Sequence, residues 1–302
     1  MRVLLTGAGG QVGTEVARQL EGRARVLAPD RARLDLSDGA GIVRMVRDAR
    51  PDVIVNAAAY TAVDRAESDE ATAHAINAVA PGILAEEAKR CGALLLHYST
   101  DYVFDGTKAS PYLESDPVNP INAYGRTKLG GERAIAQAGC DHLVLRTQWV
   151  YGPHGGNFML TMLRLAATRP ELRVVDDQHG APTSSRQLAR LTRALLAGAA
   201  GEISAASLER LRGAPGVYHA TASGSTTWCG FARAIFEERS RQPEVRFTPP
   251  RVTPIPSSEF PTPARRPANS VLCCDKLEAA LGVRIEDWRT GLRDVLSVLP
   301  AA

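Results

Sequence analysis

The sequence predicts an α/β fold: a Rossmann-like, doubly wound parallel sheet with a smaller C-terminal substrate-binding region. Three observations carry this. Short apolar strands alternate with amphipathic helical stretches through the first two-thirds of the chain, the pattern of a parallel sheet covered by helices on both faces. A glycine-rich turn follows the first strand directly. Composition then shifts after about residue 155, and prolines crowd between Pro243 and Pro267, where long regular elements are disfavoured. The expected division is 1–155 for the sheet and 156–302 for the smaller region, partly interleaved with the first.

In chain order, Arg2–Leu5 reads as a strand, Gln11–Leu20 as a helix and Ala24–Ala28 as a second strand. Ile42–Asp48 is helical, Asp52–Asn56 a buried strand, Ala71–Cys91 one long helix and Leu94–Ser99 the next strand. Tyr124–Ala138 is helical and Leu143–Arg146 a strand; beyond them Arg186–Leu196, Thr227–Arg239 and Asp275–Leu299 carry apolar residues at helical spacing.

Composition narrows the function classes. With 36 basic and 33 acidic side chains on 302 residues the net charge is +3, which calls for neither nucleic acid nor an acidic membrane as partner. No apolar run reaches the roughly 18–20 residues that cross a bilayer. The N-terminus is broken at once by glycine and polar residues, unlike a secretory signal. The five cysteines (Cys91, Cys140, Cys229, Cys273, Cys274) are odd in number and form no CxxC pair; free thiols in a reducing cytoplasm are expected.

The turn Gly7-Ala8-Gly9-Gly10-Gln11-Val12-Gly13 lies between strand and helix with GxxGxxG spacing. Missing side chains let backbone approach a pyrophosphate, and the helix N-terminus supplies N–H groups and a positive dipole end. The placement points to a dinucleotide. Asp30, at the end of the second strand, suits the adenine ribose of NAD, whereas Arg31 and Arg33 suit a 2′-phosphate. The signals conflict; NADPH is taken as the cofactor, with NADH as the alternative. Asp35-Leu36 lies where a loop meets the adenine, although Asp35 equally suits a helix cap. The small residues of Asn56-Ala57-Ala58-Ala59 leave room for a flat cofactor at the sheet edge.

Tyr124 and Lys128 form YxxxK, which on a helix puts both side chains on one face. A nearby ammonium and an oxidised nicotinamide are expected to draw the tyrosine down from its ordinary value near 10. Thr100 ends a buried strand 24 residues before Tyr124, where a hydroxyl points into the ligand crevice of an open sheet. Glycine turn, strand-end hydroxyl and YxxxK, in this order, describe a site for proton and hydride transfer.

On these motifs the chain resembles the extended branch of the short-chain dehydrogenase/reductase superfamily. On longer strings it resembles the dTDP-4-dehydrorhamnose reductase family within that branch. Those strings are Asn56–Asp64, His97–Phe104, Arg146–Tyr151, Asp177–Thr183 and Pro261–Pro267. The resemblance covers nearly the whole length. It implies Tyr124 as acid/base, Lys128 as its partner and Thr100 beside the reacting oxygen. It places Gly10, Gln11, Val12, Asp30, Asp35, Leu36, Ala59, Tyr60, Thr61 and Tyr98 at the cofactor, and Gly7, Gly13, Ala58, Tyr124 and Lys128 belong with them, Lys128 at the nicotinamide ribose. It implies Thr100, Asp101, Tyr124, Trp149, Arg265 and Arg266 as contacts of a nucleotide-sugar substrate, with Asp177–Thr183 approaching it.

The implied reaction is hydride transfer from NAD(P)H to C4 of dTDP-4-dehydro-L-rhamnose. Alternatives are reduction or epimerisation of another nucleotide-linked keto sugar, or a non-catalytic regulatory subunit like that of methionine adenosyltransferase. Asp101-Tyr102 lacks the Asp-Glu pair of the related dehydratases, which disfavours dehydration. Some family members bind Mg²⁺ through glutamates at a dimer contact. Glu15 is present here, but the matching later positions are Arg186 and Val298, neither a Mg²⁺ ligand. No metal is therefore expected, and a monomer or weak homodimer is.

Overall fold

The computed structural model describes residues 1–198 and 201–300; positions 301–302 of the expected C-terminal region lie outside the described residues. Six strands form one parallel sheet: β1 (Arg2–Thr6), β2 (Arg25–Leu27), β3 (Val53–Asn56), β4 (Leu94–Thr100), β5 (His142–Thr147) and, from much later in the chain, β10 (Gly216–His219). Their order is β10-β5-β4-β3-β1-β2. The chain leaves β1 for β2 and returns to β3 on the other side. This reversal makes the gap between β1 and β3 the topological switch point, where open α/β sheets bind ligands.

Period-two alternation assigns each strand residue to one of two cores. Val3, Leu5, Val53, Val55, Leu94, Leu96, Leu143 and Leu145 face one layer. It is covered by α1 (Gln11–Leu20), α8 (Ser185–Ala197) and α9 (Ala205–Arg212). Leu4, Ile54, Leu95 and Val144 face the other, covered by α2 (Gly39–Ala49) and α5 (Ala80–Cys91), with α6 (Ala123–Ala138) joining through Ile135. β1, β3, β4 and β5 are buried on both faces along most of their length, which is why they read as near-continuous apolar runs. Each fully buried leucine or valine contributes roughly 1.5–3 kcal/mol.

Three expected elements differ. The long helix proposed over Ala71–Cys91 begins at Glu70 and is three pieces: α4 (Glu70–His74), a π-helical turn (Ala75–Val79) and α5. The extra residue in that turn places Asn77 where its side chain bonds both backbone groups of Tyr60, at 2.9 and 3.0 Å, and the Thr127 hydroxyl at 3.1 Å. A short helix, α3 (Val63–Ala66), precedes it. Helicity over Asp275–Leu299 is interrupted after α11 (Asp275–Leu281) by Gly282 at φ +65° and resumes at α12 (Trp288–Leu296). The proline-rich stretch still contributes a strand, β12 (Arg251–Ile255), paired in parallel with β7 (Glu171–Val175); Pro254 is tolerated because this two-stranded sheet has only edges.

The remaining elements are β6 (Val150–Tyr151), α7 (Phe158–Ala166), β8 (His179–Gly180), β9 (Thr183–Ser184), β11 (Thr226–Thr227) and α10 (Trp228–Ser240); of these, β6 and α10 reach the cleft, through Val150 and Trp228. Because α8, α9 and β10 join the main sheet while β7, β8, β11, α10 and β12 cap it, the second half of the chain serves both regions. We keep the division at 155/156 as a proposal for where the capping begins. No helix among the described residues is long and apolar enough to cross a membrane.

Candidate active site

A cleft of about 860 Å³ opens at the carboxyl ends of β1, β3, β4 and β5. Its floor is the glycine turn. Gly7 sits at φ +72°, and a Cβ there would lie 2.6 Å from the Ala58 nitrogen. A Cβ on Gly13 would overlap the Gly7 carbonyl, so Gly13 packs beneath the turn rather than lining the cleft. A turn this tight, which only glycine allows at Gly7 and Gly13, at the start of α1, fits a dinucleotide diphosphate.

Most of the residues singled out in the sequence meet here. Gly7, Gly10, Gln11, Val12, Asp30, Asp35, Leu36, Ala58, Ala59, Thr61, Tyr98, Thr100, Asp101, Tyr124, Lys128 and Trp149 all line the cleft. Tyr60 does not: its hydroxyl donates to Asp69 at 3.0 Å and its backbone is tied to Asn77. The second strand stops at Leu27, so Asp30 lies in the following turn, where its carboxylate accepts from the Arg33 N–H at 3.0 Å. Asp35 accepts from the Ser37 N–H and hydroxyl at 2.8 and 2.7 Å, which hold its carboxyl below the ordinary value; the cap of α2 is Asp38.

At the other end of the cleft, α6 is capped by Asn122, whose side chain accepts from the Gly125 N–H at 2.8 Å. That cap fixes the first turn, and with it Tyr124 and Lys128 on the cleft side. Thr100 donates to Asp101 Oδ1 at 3.0 Å and accepts from the Tyr102 N–H at 3.2 Å. Asp101 is 2% exposed, its Oδ2 has no partner, and burial pushes its carboxyl up to about 7. Tyr124 is raised above its ordinary value, first by burial and then by the Asp101 charge, while the Thr100 hydroxyl opposes the rise. The lowering expected from the YxxxK spacing is therefore not supplied by the protein alone. Lys128 is 1% exposed, donates to the Tyr98 carbonyl at 2.6 Å and meets His97 Nε2 at 3.1 Å.

Beneath this surface lies an ion pair that sequence reasoning missed. Arg146 on β5 and Glu132 on α6 are 4% and 5% exposed and bond at 2.7 and 3.0 Å; the Ser99 hydroxyl donates to the same carboxylate at 2.5 Å.

Among the residues expected to contact a substrate, Arg265 and Arg266 lie elsewhere. Trp149 holds φ +46° and stacks on Trp228 with ring centroids 3.7 Å apart. Trp228 itself lines the cleft and carried no sequence signal beyond a helix start. Its indole N–H donates to Gln178 at 3.2 Å, so Asp177–Thr183 reaches the site through this stack. Arg265 and Arg266 do not line the cleft. Arg266 is engaged by Asp64 at 2.8 and 3.0 Å, while Arg265 is exposed. At the positions matched to a Mg²⁺ site, Arg186 bonds Asp294 at 3.0 Å, Glu15 bonds Arg18 at 2.9 Å and Val298 is an exposed apolar residue. Among the described residues no cluster of three or more His, Cys, Asp or Glu is arranged to hold a metal ion.

Comparisons with known proteins bear on this geometry. The sequence profile described as "RmlD substrate binding domain" matches residues 1–300. A Burkholderia thailandensis protein named dTDP-4-dehydrorhamnose reductase is 50% identical over 304 residues, covering 98% of this chain and 100% of that one. A crystal structure of the Clostridium acetobutylicum dTDP-4-dehydrorhamnose reductase superposes with TM-score 0.88 at 37% identity, covering 99% of each chain. That of the Bacillus anthracis dTDP-4-dehydrorhamnose reductase, in complex with NADP, superposes with TM-score 0.86 at 31% identity, covering 98% of each.

Proposed function

This chain belongs to the dTDP-4-dehydrorhamnose reductase family, and from that premise we propose that its cleft reduces C4 of dTDP-4-dehydro-L-rhamnose with NADPH, giving dTDP-L-rhamnose. The observation that carries the reading is that Thr100, Tyr124 and Lys128 open onto the same cleft as the glycine turn.

Reduction of a ketone needs hydride on carbon and a proton on oxygen. The bound reduced nicotinamide supplies the hydride. Tyr124 gives its phenolic proton to the C4 oxygen; burial and the Asp101 charge keep that phenol protonated until it is needed. Thr100 turns its hydroxyl from Asp101 to the same oxygen as charge develops there. Asp101 Oδ2, buried and without a partner, accepts from a sugar hydroxyl. Lys128 holds the ribose side of the cleft. Arg31, on the cleft rim with its side chain 81% exposed, reaches a 2′-phosphate, while the Asp30 carboxylate is engaged in its own turn; this favours NADPH over NADH. All five cysteines are free, in keeping with a reducing cytoplasm, and the enzyme acts as a monomer or weak homodimer. The deciding experiment gives the purified protein NADPH or NADH with enzymatically made dTDP-4-dehydro-L-rhamnose: faster oxidation of NADPH is expected, and no oxidation of either refutes the reading.

Two further results are expected. Trp149→Ala removes the stacked face and raises KM for the sugar about 2- to 12-fold, the equivalent of roughly 0.5–1.5 kcal/mol, with kcat little changed; an unaltered KM takes Trp149 out of the sugar site. The second concerns Asp101. Its folded-state pKa is raised to about 7, so between the ordinary carboxylate value and that point the native state binds more protons than the unfolded chain. Stability is therefore full below the ordinary carboxylate value, falls as pH rises from there to about 7, and is level above it. At 1.36 kcal/mol per unit the fall is roughly 4 kcal/mol. Denaturant unfolding at about pH 5 and about pH 8 should show roughly 2–3 kcal/mol of this loss, and Asp101→Asn should abolish most of it. An equal loss in the variant assigns the slope elsewhere.

A further inference from the structure

Trp149 keeps a backbone conformation that a tryptophan rarely adopts. Its φ of +46° lies in the left-handed region, and among the described residues the only other non-glycine there is Arg50, at +43°. Arg50 is the C-cap of α2, and helix ends commonly take this conformation. Trp149 belongs to no helix end: it lies between β5 and β6, where the chain leaves the sheet and lines the cleft. A bulky residue at such a φ is strained and persists only where its surroundings fix it.

The chain is pinned on both sides of it. Before it, the buried Gln148 side chain accepts from the Ala181 N–H at 2.6 Å and donates to the Ser270 carbonyl at 2.9 Å. After it, Val150 pairs with Thr183. These contacts fix where the ring leaves the backbone, and two neighbours fix the ring itself. Gly180 lies so close that a Cβ on it would come 2.5 Å from Trp149 Cε2. Trp228 stacks on it with 12° between the ring planes. We infer that Trp228 is a positioning residue: its ring, held from α10, keeps Trp149 in the left-handed conformation and sets the face that Trp149 turns to the sugar.

Trp228 can do this because it is itself anchored. Thr227 caps α10, its hydroxyl accepting from the Gly230 N–H at 2.9 Å and donating to Asp176. The Trp228 indole N–H donates to Gln178, whose amide in turn donates to the Ser257 hydroxyl at 2.8 Å. The Phe158 ring packs against the same indole, with centroids 4.7 Å apart. Both tryptophans are half-buried and line the cleft. One stands where the chain leaves β5 and the other opens α10, so the stack ties the sheet side of the cleft to the capping side. The relevance to substrate rests on the proposed reaction, in which Trp149 meets the sugar. The geometry of the two rings does not, and it is measured without substrate.

The chain has three tryptophans (Trp149, Trp228, Trp288), few enough for single substitutions to assign an NMR spectrum of the full-length protein with ring-labelled tryptophan. A ring stacked face to face shields its neighbour's protons. The Trp149 ring protons are therefore expected well upfield of their ordinary position in the ligand-free protein, returning toward it in Trp228→Leu. Unshifted Trp149 protons in the parent, or a shift that survives Trp228→Leu, overturn the proposal. In denaturant unfolding, Trp149→Gly should be at least as stable as Trp149→Ala, the reverse of the usual order, because glycine alone is unstrained at this φ; a less stable glycine variant overturns it as well. In kinetics, Trp228→Leu should raise KM for the sugar about 2- to 12-fold, and Trp228→Phe, which keeps a stacking ring, by less, with KM for NADPH unmoved in both. Added to Trp149→Ala, Trp228→Leu should have no further effect, since it acts through the ring already removed; multiplied effects would make Trp228 a direct sugar contact and overturn the positioning role. If Trp228→Leu does not fold, the parent spectrum, the glycine and alanine pair and Trp228→Phe decide. Failure of the NADPH assay with the expected spectra would sink the assigned reaction and leave the hold on Trp149 standing.

Discussion

Tyr124→Phe should bind NADPH as tightly as the parent and lose roughly 100- to 10,000-fold in kcat, the range of positioned acid catalysis. The phenol is the one group in the cleft that combines a raised proton affinity, a neighbouring Thr100 hydroxyl and a place on the face that Lys128 shares. Phenylalanine keeps the ring and its edge-to-face contact with Tyr102, whose centroid lies 5.9 Å away, so the fold and cofactor cradle stay intact. The loss should fall on kcat, with KM for the sugar changing little, because the missing proton matters only as charge develops on oxygen. Steady-state kinetics and a cofactor-binding titration test both halves. A variant with near-normal kcat would remove Tyr124 from the reaction.

Glu132→Ala should destabilise the protein by about 3–5 kcal/mol, since it leaves the Arg146 guanidinium buried without its counter-charge. Arg146 already has one unpartnered nitrogen, Nη1, and lies over the Phe104 ring at 5.2 Å, so nothing nearby can replace the carboxylate. Ser99 loses its acceptor at the same time. Because Ser99 adjoins Thr100 and Glu132 lies one turn from Lys128, the damage should reach the active site. Replacing both partners, Glu132→Leu with Arg146→Met, should recover most of the stability, as removing a whole buried pair costs far less than breaking it. Denaturant unfolding of the three variants measures this; a Glu132→Ala loss under about 1 kcal/mol would mean that water reaches the guanidinium.

The parts of this enzyme that were readable in sequence are those set by short spacings. The glycine turn, the YxxxK pair and Thr100 each depend on one local element, and each lies where its spacing puts it. The apolar runs of β1, β3, β4 and β5 are legible because burial on both faces removes polar residues from them. What long-range packing decides was hidden. Gly216–His219 joins β5 as the sixth strand from about 70 residues away, and nothing local marks it. Arg266 carried the charge a diphosphate would want, but Asp64, 202 positions earlier, holds it. Trp228 is a cleft residue only because α10 folds over Trp149. The tyrosine's proton affinity depends on burial and on Asp101, terms that spacing cannot express. The π turn at Ala75–Val79 likewise serves Tyr60 and Thr127, partners outside its own helix.

Isotope transfer tests the central claim most directly. NADPH carrying deuterium on the transferring face of the nicotinamide is incubated with the enzyme and dTDP-4-dehydro-L-rhamnose, and the product is read by mass and NMR. One deuterium on C4 of dTDP-L-rhamnose, with one cofactor oxidised per sugar, is the predicted result. Deuterium absent from C4, or an altered sugar without net oxidation of the cofactor, would contradict it.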